Sequence, residues 1–501
     1  MSKRLLKSLE ADTNFTLTEN LAVARKTTNS ELLNFFSVGG ALRSREETEI
    51  VRLFDKAFDE NPKFALKALF YFRDIRGGQG ERRTFKAILK YLAGPNTRKW
   101  LAENLALIPE YGRWDDLFEL FDTAVEPDVL KLICKQLNID NGAKNPTLLA
   151  KWLPSENASS KESKRQAYKI MKYMHASPRS YRKNLSNIRD RIGVLETKLS
   201  ANDWDKIEYS HVPSQANVLY RKAFKRHDAA RYLAFIEAVK KGEKTIKAGV
   251  LYPYDIVRKC FEEDSDSRDT LDVLWNALPD YLAGTQENSI VVADVSGSMH
   301  GLPMNISISL AIYAAERNKG VFHDRFITFS AKPELQKVVG TDIYHKVQNL
   351  SKAKWDMNTN VEAVFDLILD TAIRNKISQD EMIKKIYIVS DMEFDACASS
   401  NNTKPRHLTP ESPLPKTLFQ NIEKKYKRAG YSMPLLVFWN VSSRNDQFPM
   451  SLDDRGFLNV SGSSPSIFTG LIKSEFKDAY GFMIDVLSSE RYAKVEFNAT
   501  S

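Results

Sequence analysis

Asp294-Val295-Ser296-Gly297-Ser298 sets one carboxylate and two hydroxyls two residues apart on a glycine-containing turn. Oxygen donors at that spacing can converge on a hard cation such as Mg²⁺, which takes about six oxygens near 2.1 Å and keeps several waters. As a bare pattern Asp-x-Ser-x-Ser is weak, since ordinary residue frequencies produce it in roughly one chain of this length in ten. Its position strengthens it. The preceding run, Ser289-Ile-Val-Val-Ala293, reads as a buried parallel strand, and open α/β sheets bind ligands beyond the carboxyl ends of their strands. Asn358-Thr359-Asn360 stands before a helical pattern that starts at Val361, and Ser390-Asp391-Met392-Glu393 follows a second apolar run, Ile386 to Val389. Thr359 offers another hydroxyl, and Asp391 a carboxylate that reaches a cation directly or through a water. The competing reading is local: the same Asp and Ser side chains cap the next helix and satisfy turn amides without metal. Glu393 and Asp395 are nearby acids of a kind common after strands, and His300 beside an oxygen-rich site reads as an exposed histidine rather than a ligand.

The set Asp294, Ser296, Ser298, Thr359 and Asp391 resembles the metal-ion-dependent adhesion site of von Willebrand factor A domains, and all five positions match. The resemblance implies bound Mg²⁺, or another divalent cation, acting as a bridge rather than a catalyst. One coordination position is then left for a ligand, often a carboxylate from an acidic protein partner.

These residues need a sheet to position them. Lys385-Ile-Tyr-Ile-Val389, Pro434-Leu-Leu-Val-Phe-Trp439 and Phe326-Ile-Thr-Phe329 repeat the apolar, β-branched and aromatic character of the first run. Helical patterns over Met304 to Arg317, Val361 to Arg374 and Lys416 to Ala429 lie between them, which predicts a doubly wound α/β domain over residues 285–501. Ala398 to Pro415, rich in Ser, Asn, Thr and Pro, reads as a long loop.

Before residue 284 the pattern is different. Apolar residues recur at three- and four-residue spacing, as in Ile50, Leu53, Phe54 and Phe58, with breaks at Asn61-Pro62, Gly77-Gly78-Gln79-Gly80, Ala93-Gly94-Pro95 and Asn145-Pro146. A succession of helices this long does not easily wrap one core, so residues 1–284 are expected to form an α-helical, HEAT-like repeat array. Whether that array is an open solenoid or a ring is left open, as is the oligomeric state.

Charge is concentrated in this helical part. The 501-residue chain carries a net +9, yet residues 141–260 alone hold 25 Lys and Arg against 11 Asp and Glu, a net +14. Phosphate is the obvious counterpart of such a segment, with solvated helix faces the alternative. Lys222, Lys225, Arg226, His227 and Arg231 are the candidate RNA-binding residues, and Tyr168, Tyr173, Tyr181, Tyr220 and Phe224 are aromatics that core packing or base stacking would use. Cys134, Cys260 and Cys397 lie far apart without metal-ligand spacing, which points to a reducing compartment. No apolar run approaches the roughly 20 residues that span a bilayer, and Met1-Ser-Lys-Arg-Leu-Leu lacks the apolar core of a signal peptide. The expectation is a protein away from the membrane, cytoplasmic, or nuclear in a host with a nucleus.

A helical array with a basic segment, followed by an A domain, resembles the TROVE module of the Ro ribonucleoproteins and their relatives. The residues that carry the likeness in the helical half are Phe72-Arg73-Asp74-Ile75-Arg76-Gly77-Gly78-Gln79-Gly80-Glu81-Arg82, Gly112-Arg113-Trp114-Asp115-Asp116, Val212-Pro213-Ser214 and Ala223-Phe224-Lys225-Arg226-His227-Asp228. The resemblance implies helical repeats that bind structured noncoding RNA on a basic outer surface and take single-stranded ends in a central hole. By itself Arg76-Gly77-Gly78 reads as a turn, because RGG boxes act as disordered repeats. The sequence therefore predicts a non-catalytic RNA-binding protein with a Mg²⁺-binding A domain; the alternative is a metal-dependent protein-interaction scaffold without RNA. An enzyme is not expected, since no general base is paired with a nucleophile and no two-metal carboxylate set is present.

Overall fold

The computed structural model of the chain describes residues 14–20, 22–262, 267–284, 288–329, 333–351, 360–394, 418–452, 454–473 and 478–498. Thr359 and the segment from Ala398 to Pro415 lie outside them. The chain forms two compact units, one of residues 1–65 and 251–488, the other of residues 66–250 and 489–501.

The first unit is built on a six-stranded sheet. A short antiparallel ribbon, β1 (Thr16–Leu17) and β2 (Val23–Ala24), precedes it. The sheet strands are β3 (Ser289–Ala293), β4 (Arg325–Thr328), β5 (Leu335–Lys337), β6 (Lys385–Ser390), β7 (Leu435–Asn440) and β8 (Phe457–Ser461). Their order is β5-β4-β3-β6-β7-β8, parallel throughout except for the antiparallel edge strand β5. Every residue of β3, β6 and β7 is buried, as continuous apolar runs in a sheet covered on both faces require. On one face Ile290, Ile388 and Phe438 pack with Val364, Phe365 and Phe419; on the other, Tyr387 and Trp439 meet Phe468 at centroid distances of 5.1 and 4.9 Å. The doubly wound α/β architecture expected for the C-terminal part is observed, with two strands that the apolar runs did not mark. β5 is three residues long and half exposed, and β8 interrupts its apolar pattern with the buried Asn459.

Secondary structure changes class near residue 288, but packing does not divide at 284/285. The helix Pro253–Phe261 packs against the helix Leu302–Arg317, Trp275 Nε1 donates to Glu316 at 2.6 Å, and Tyr313 donates to the Pro279 carbonyl at 2.5 Å. The helices Glu31–Val38 and Glu47–Glu60 also belong to this unit, where Gly40 lies so close to β8 that an added Cβ would stand 2.6 Å from the Ser461 carbonyl oxygen. Apolar faces between 29 and 60 and between 251 and 283 thus cover the sheet unit rather than extending the helical one.

The second unit is helical, and among the described residues no strand occurs between 26 and 288. Lys161–Tyr173 begins at the Ser160 N-cap and buries Ala167, Ile170 and Met171, one face at i, i+3 and i+4. Pro178–Ile192 starts after the Ser177 N-cap with proline at its first position and ends at Gly193, whose φ of 71° suits glycine. Both helices pack on Glu126–Gly142. Among the described residues no helix is long and apolar enough to cross a membrane.

Candidate metal centre and nucleic-acid interface

β3 and β6 are neighbours, and the crossovers that follow them leave in opposite directions. Their carboxyl ends therefore form the crevice where doubly wound sheets bind ligands. Asp294, the residue after β3, is completely buried and extends the ladder by donating its N–H to the Val389 carbonyl at 3.0 Å. Its Oδ1 accepts the Ser296 N–H at 2.9 Å and its Oδ2 accepts the Ser390 hydroxyl at 2.5 Å. The turn then brings Ser296 Oγ to 3.1 Å from Ser298 Oγ. Ser298 also favours the ionised form of the Asp391 carboxylate, which completes the set from the β6 side.

The loop after β6 is bent by Met392, a non-glycine residue at φ 68° whose side chain is buried in the core. Backbone held in that region costs on the order of 1–3 kcal/mol. The apolar anchor holds the bend, with Asp391 on one side and Glu393 on the other. Asp391 is buried as well; burial pushes its pKa above the usual carboxylate range, against the lowering influence of Ser298 and Arg444. Burial, then the charge of Asp391, pushes Asp294 up to about 6. Two desolvated carboxylates facing two hydroxyls form an all-oxygen donor set, which fits a hard cation. Among the described residues no group of three or more His, Cys, Asp or Glu could hold a metal.

The structure thus brings Asp294, Ser296, Ser298 and Asp391 together. Thr359 is outside the described residues; its neighbour Asn360 caps the helix Val361–Asn375 by accepting the Ala363 N–H at 3.0 Å. His300 is exposed. Glu393 is engaged by other partners, its carboxylate accepting the Glu19 N–H at 2.8 Å and the Asn445 amide at 3.0 Å. Arg444, with Nη2 2.8 Å from Asp391 Oδ2, was not legible from spacing, because it lies 53 residues further along the chain.

In the helical unit many cations of the basic segment are structural. Arg189 donates to the carbonyls of Ala150 at 2.8 Å and Leu153 at 2.7 Å, and Arg191 to those of Asp140 at 2.8 Å and Ala143 at 2.7 Å. Arg231, a candidate RNA contact, is committed to the Trp204 and Ile207 carbonyls and to Asp228, at 2.9, 2.7 and 2.9 Å. His227 is exposed at its edge but stacks flat on Trp204, with centroids 4.4 Å apart and 10° between planes. Lys222, Lys225 and Arg226 are exposed on the helix Ser214–His227, while Arg221 and Phe224 are buried.

A second surface emerges on Lys161–Tyr173. Lys161, Lys164, Tyr168 and Lys172 are all exposed and share one helix face, and Tyr168 is 63% accessible. Arg165 beside them is paired with Glu162 and Asp122. Lys161, Lys164 and Lys172, with Arg179 and Lys183 on the next helix, have no ion pair among the described residues. Of the five aromatics, Tyr168 and Tyr173 are exposed, Tyr220 is half-buried, and Tyr181 and Phe224 belong to the core. The signal for this face was available as a Lys-x-x-Lys-x-x-x-Tyr-x-x-x-Lys spacing.

The glycine- and arginine-rich motifs are packing devices. Arg73 and Asp116, both buried, pair at 2.7 Å, and Arg82 adds a contact to Asp116 at 3.1 Å. A Cβ on Gly112 would stand 2.4 Å from the same carboxylate. Asp74, also buried, accepts Arg491 Nη2 at 2.6 Å and the Tyr492 hydroxyl at 3.0 Å, which fastens residues 489–498 to the helical unit.

Residues 18–146 and 139–287 match the domain of unknown function DUF2828, and residues 288–494 match the domain of unknown function DUF7788. The chain is similar to the uncharacterized protein L728 of Acanthamoeba polyphaga mimivirus, 30% identical over 515 residues that cover 95% of this chain and 87% of that protein. Among solved structures, the Ro (RSR) protein of Deinococcus radiodurans overlaps 89% of this chain and 99% of its own at 14% identity, with a TM-score of 0.39. Similarity at that level assigns neither fold nor function.

Proposed function

We propose, for a chain that belongs to the DUF2828 family, a non-catalytic RNA-binding role in which the helical-repeat unit holds RNA through phosphate contacts and the sheet unit binds a divalent cation. The observation that carries the RNA reading is the exposed face of Lys161–Tyr173. Three lysines without ion pairs among the described residues flank an exposed tyrosine at one-turn intervals, within a segment of net +14 that holds 25 basic against 11 acidic residues. Lysines on such a face neutralise phosphates and release counterions, and a protruding aromatic ring stacks an unpaired base. Structured RNA with single-stranded loops or ends presents both chemistries. Lys222, Lys225 and Arg226 add a further exposed cationic stretch.

The cation reading rests on the all-oxygen set of Asp294, Ser296, Ser298 and Asp391, with Thr359 as the hydroxyl that the adhesion-site pattern adds. Mg²⁺ there would bridge to a ligand carboxylate, and the protein's own groups supply charge neutralisation and orientation. An acidic segment of a protein partner suits that open position.

Filter binding of a structured RNA over a salt series tests the first claim: affinity should fall steeply and log-linearly with salt. Absent or salt-insensitive binding would sink it. Metal-dependent capture of a protein that survives nuclease treatment, without RNA affinity, would favour the scaffold reading instead.

A further inference from the structure

We infer that Arg444 is a built-in counter-ion for Asp391 that a divalent cation must displace, and that Glu19 is the partner to which the guanidinium then turns. The inference rests on the cation reading above and deepens it to the regulation of that site.

The geometry is specific. Arg444 Nη2 lies 2.8 Å from Asp391 Oδ2 and 3.3 Å from Glu19 Oε2. Asp391 has no side-chain exposure, whereas Arg444 is one-third exposed and Glu19 about half exposed, at 33% and 48%. One guanidinium nitrogen therefore sits between an inner and an outer carboxylate. Its grip on the inner one is single, without the two-pronged fork that makes arginine–carboxylate pairs strong. The buried Nε has no hydrogen-bond partner among the described residues.

The loop that carries Arg444 is fixed on both sides of it. Ser443 donates its N–H to the Ala41 carbonyl and accepts Arg45 Nε at its own carbonyl, each at 3.0 Å, and Arg45 also pairs with Asp446 at 2.5 Å. Asn445 Nδ2 bridges Glu393 Oε1 at 3.0 Å and Glu19 Oε1 at 3.2 Å. The outer acid is held in turn, since the Glu19 N–H donates to Glu393 Oε2 at 2.8 Å and the Asn20 amide to the Glu393 carbonyl at 2.8 Å. Exchange of the guanidinium from Asp391 to Glu19 thus needs a side-chain movement only.

The physical reason for the device is the cost of a buried, unpaired carboxylate. Arg444 supplies a positive charge while no metal is bound. When a divalent cation takes the Asp391 oxygens, the same charge opposes it unless Glu19 neutralises it. Affinity is thereby set by competition between an internal and an external cation.

The test is calorimetric titration of MgCl₂ into the chelator-stripped full chain, with Asp294→Asn as the blank. Arg444→Gln should bind Mg²⁺ at least about fivefold more tightly than wild type, and Glu19→Gln, which removes the outer partner, at least about twofold more weakly. Were Arg444 only a prop that positions Asp391, Arg444→Gln would bind Mg²⁺ more weakly; that result, or unchanged affinity in both variants, overturns the inference. Glu19→Gln stands on an exposed side chain and keeps the test decisive should Arg444→Gln fold poorly. Failure of wild type to bind Mg²⁺ above the blank would instead overturn the cation reading, and this inference with it.

Discussion

The Ser390 hydroxyl donates to Asp294 Oδ2 at 2.5 Å, a bond that ties the carboxyl ends of two neighbouring parallel strands through the residues that follow and end them. The other candidate cation ligands among the described residues are placed relative to this link. Ser296 and Ser298 follow Asp294 on the turn, and Asp391 follows Ser390.

Asp294→Asn keeps the size of the side chain and removes the charge a cation needs. Wild type is expected to melt several degrees higher with saturating MgCl₂, because a ligand at about 100 times its Kd stabilises the folded state by about 2.7 kcal/mol. The variant should show no such rise in differential scanning fluorimetry. A Mg²⁺-dependent shift that persists in Asp294→Asn would place the cation elsewhere.

Arg231→Gln separates structural from RNA-facing cations. Its three hydrogen bonds to Trp204, Ile207 and Asp228 predict a loss of about 1–3 kcal/mol in urea unfolding, with RNA affinity reduced less than twofold when both proteins are folded. A large drop in RNA affinity at unchanged stability would return Arg231 to the interface.

Asp116→Asn strips the charge from a fully buried group that answers Arg73 and Arg82. Removing one partner of a buried ion pair costs about 3–5 kcal/mol, so the variant should unfold at markedly lower urea. Gly112→Ala should do the same through the 2.4 Å contact its Cβ would make with that carboxylate. Near-wild-type midpoints for both would mean that this cluster contributes little to stability.

Much of the sheet unit was legible because its information is local. Ser289–Ala293, Lys385–Ser390 and Leu435–Asn440 are short apolar runs with buried environments on both faces, and Asp294-x-Ser-x-Ser follows directly on the first. What was hidden depends on distance along the chain. Arg444 reaches Asp391 across 53 residues, and Glu19 reaches Glu393 across 374. The helical unit misled in a different way. Periodicity identified its helices, but a cluster of Lys and Arg does not say which cations face water. Arg231 caps carbonyls and His227 covers Trp204, while the more open lysine face lies on Lys161–Tyr173, where Tyr168 protrudes. Packing faces of the helices before residue 65 and after 251 were likewise readable as apolar, without any sign that their partner is the sheet unit.

The lysine face of Lys161–Tyr173 is the proposed RNA contact. It is tested most directly by measuring the salt dependence of binding to one structured RNA with single-stranded loops, for wild type and for the Lys161→Glu, Lys164→Glu, Lys172→Glu triple variant. Each phosphate contact contributes a slope of about 0.7–0.9 in log K against log salt, so the variant should bind at least tenfold more weakly and lose about two units of slope. Equal affinities and equal slopes for the two folded proteins would rule this face out as the RNA contact.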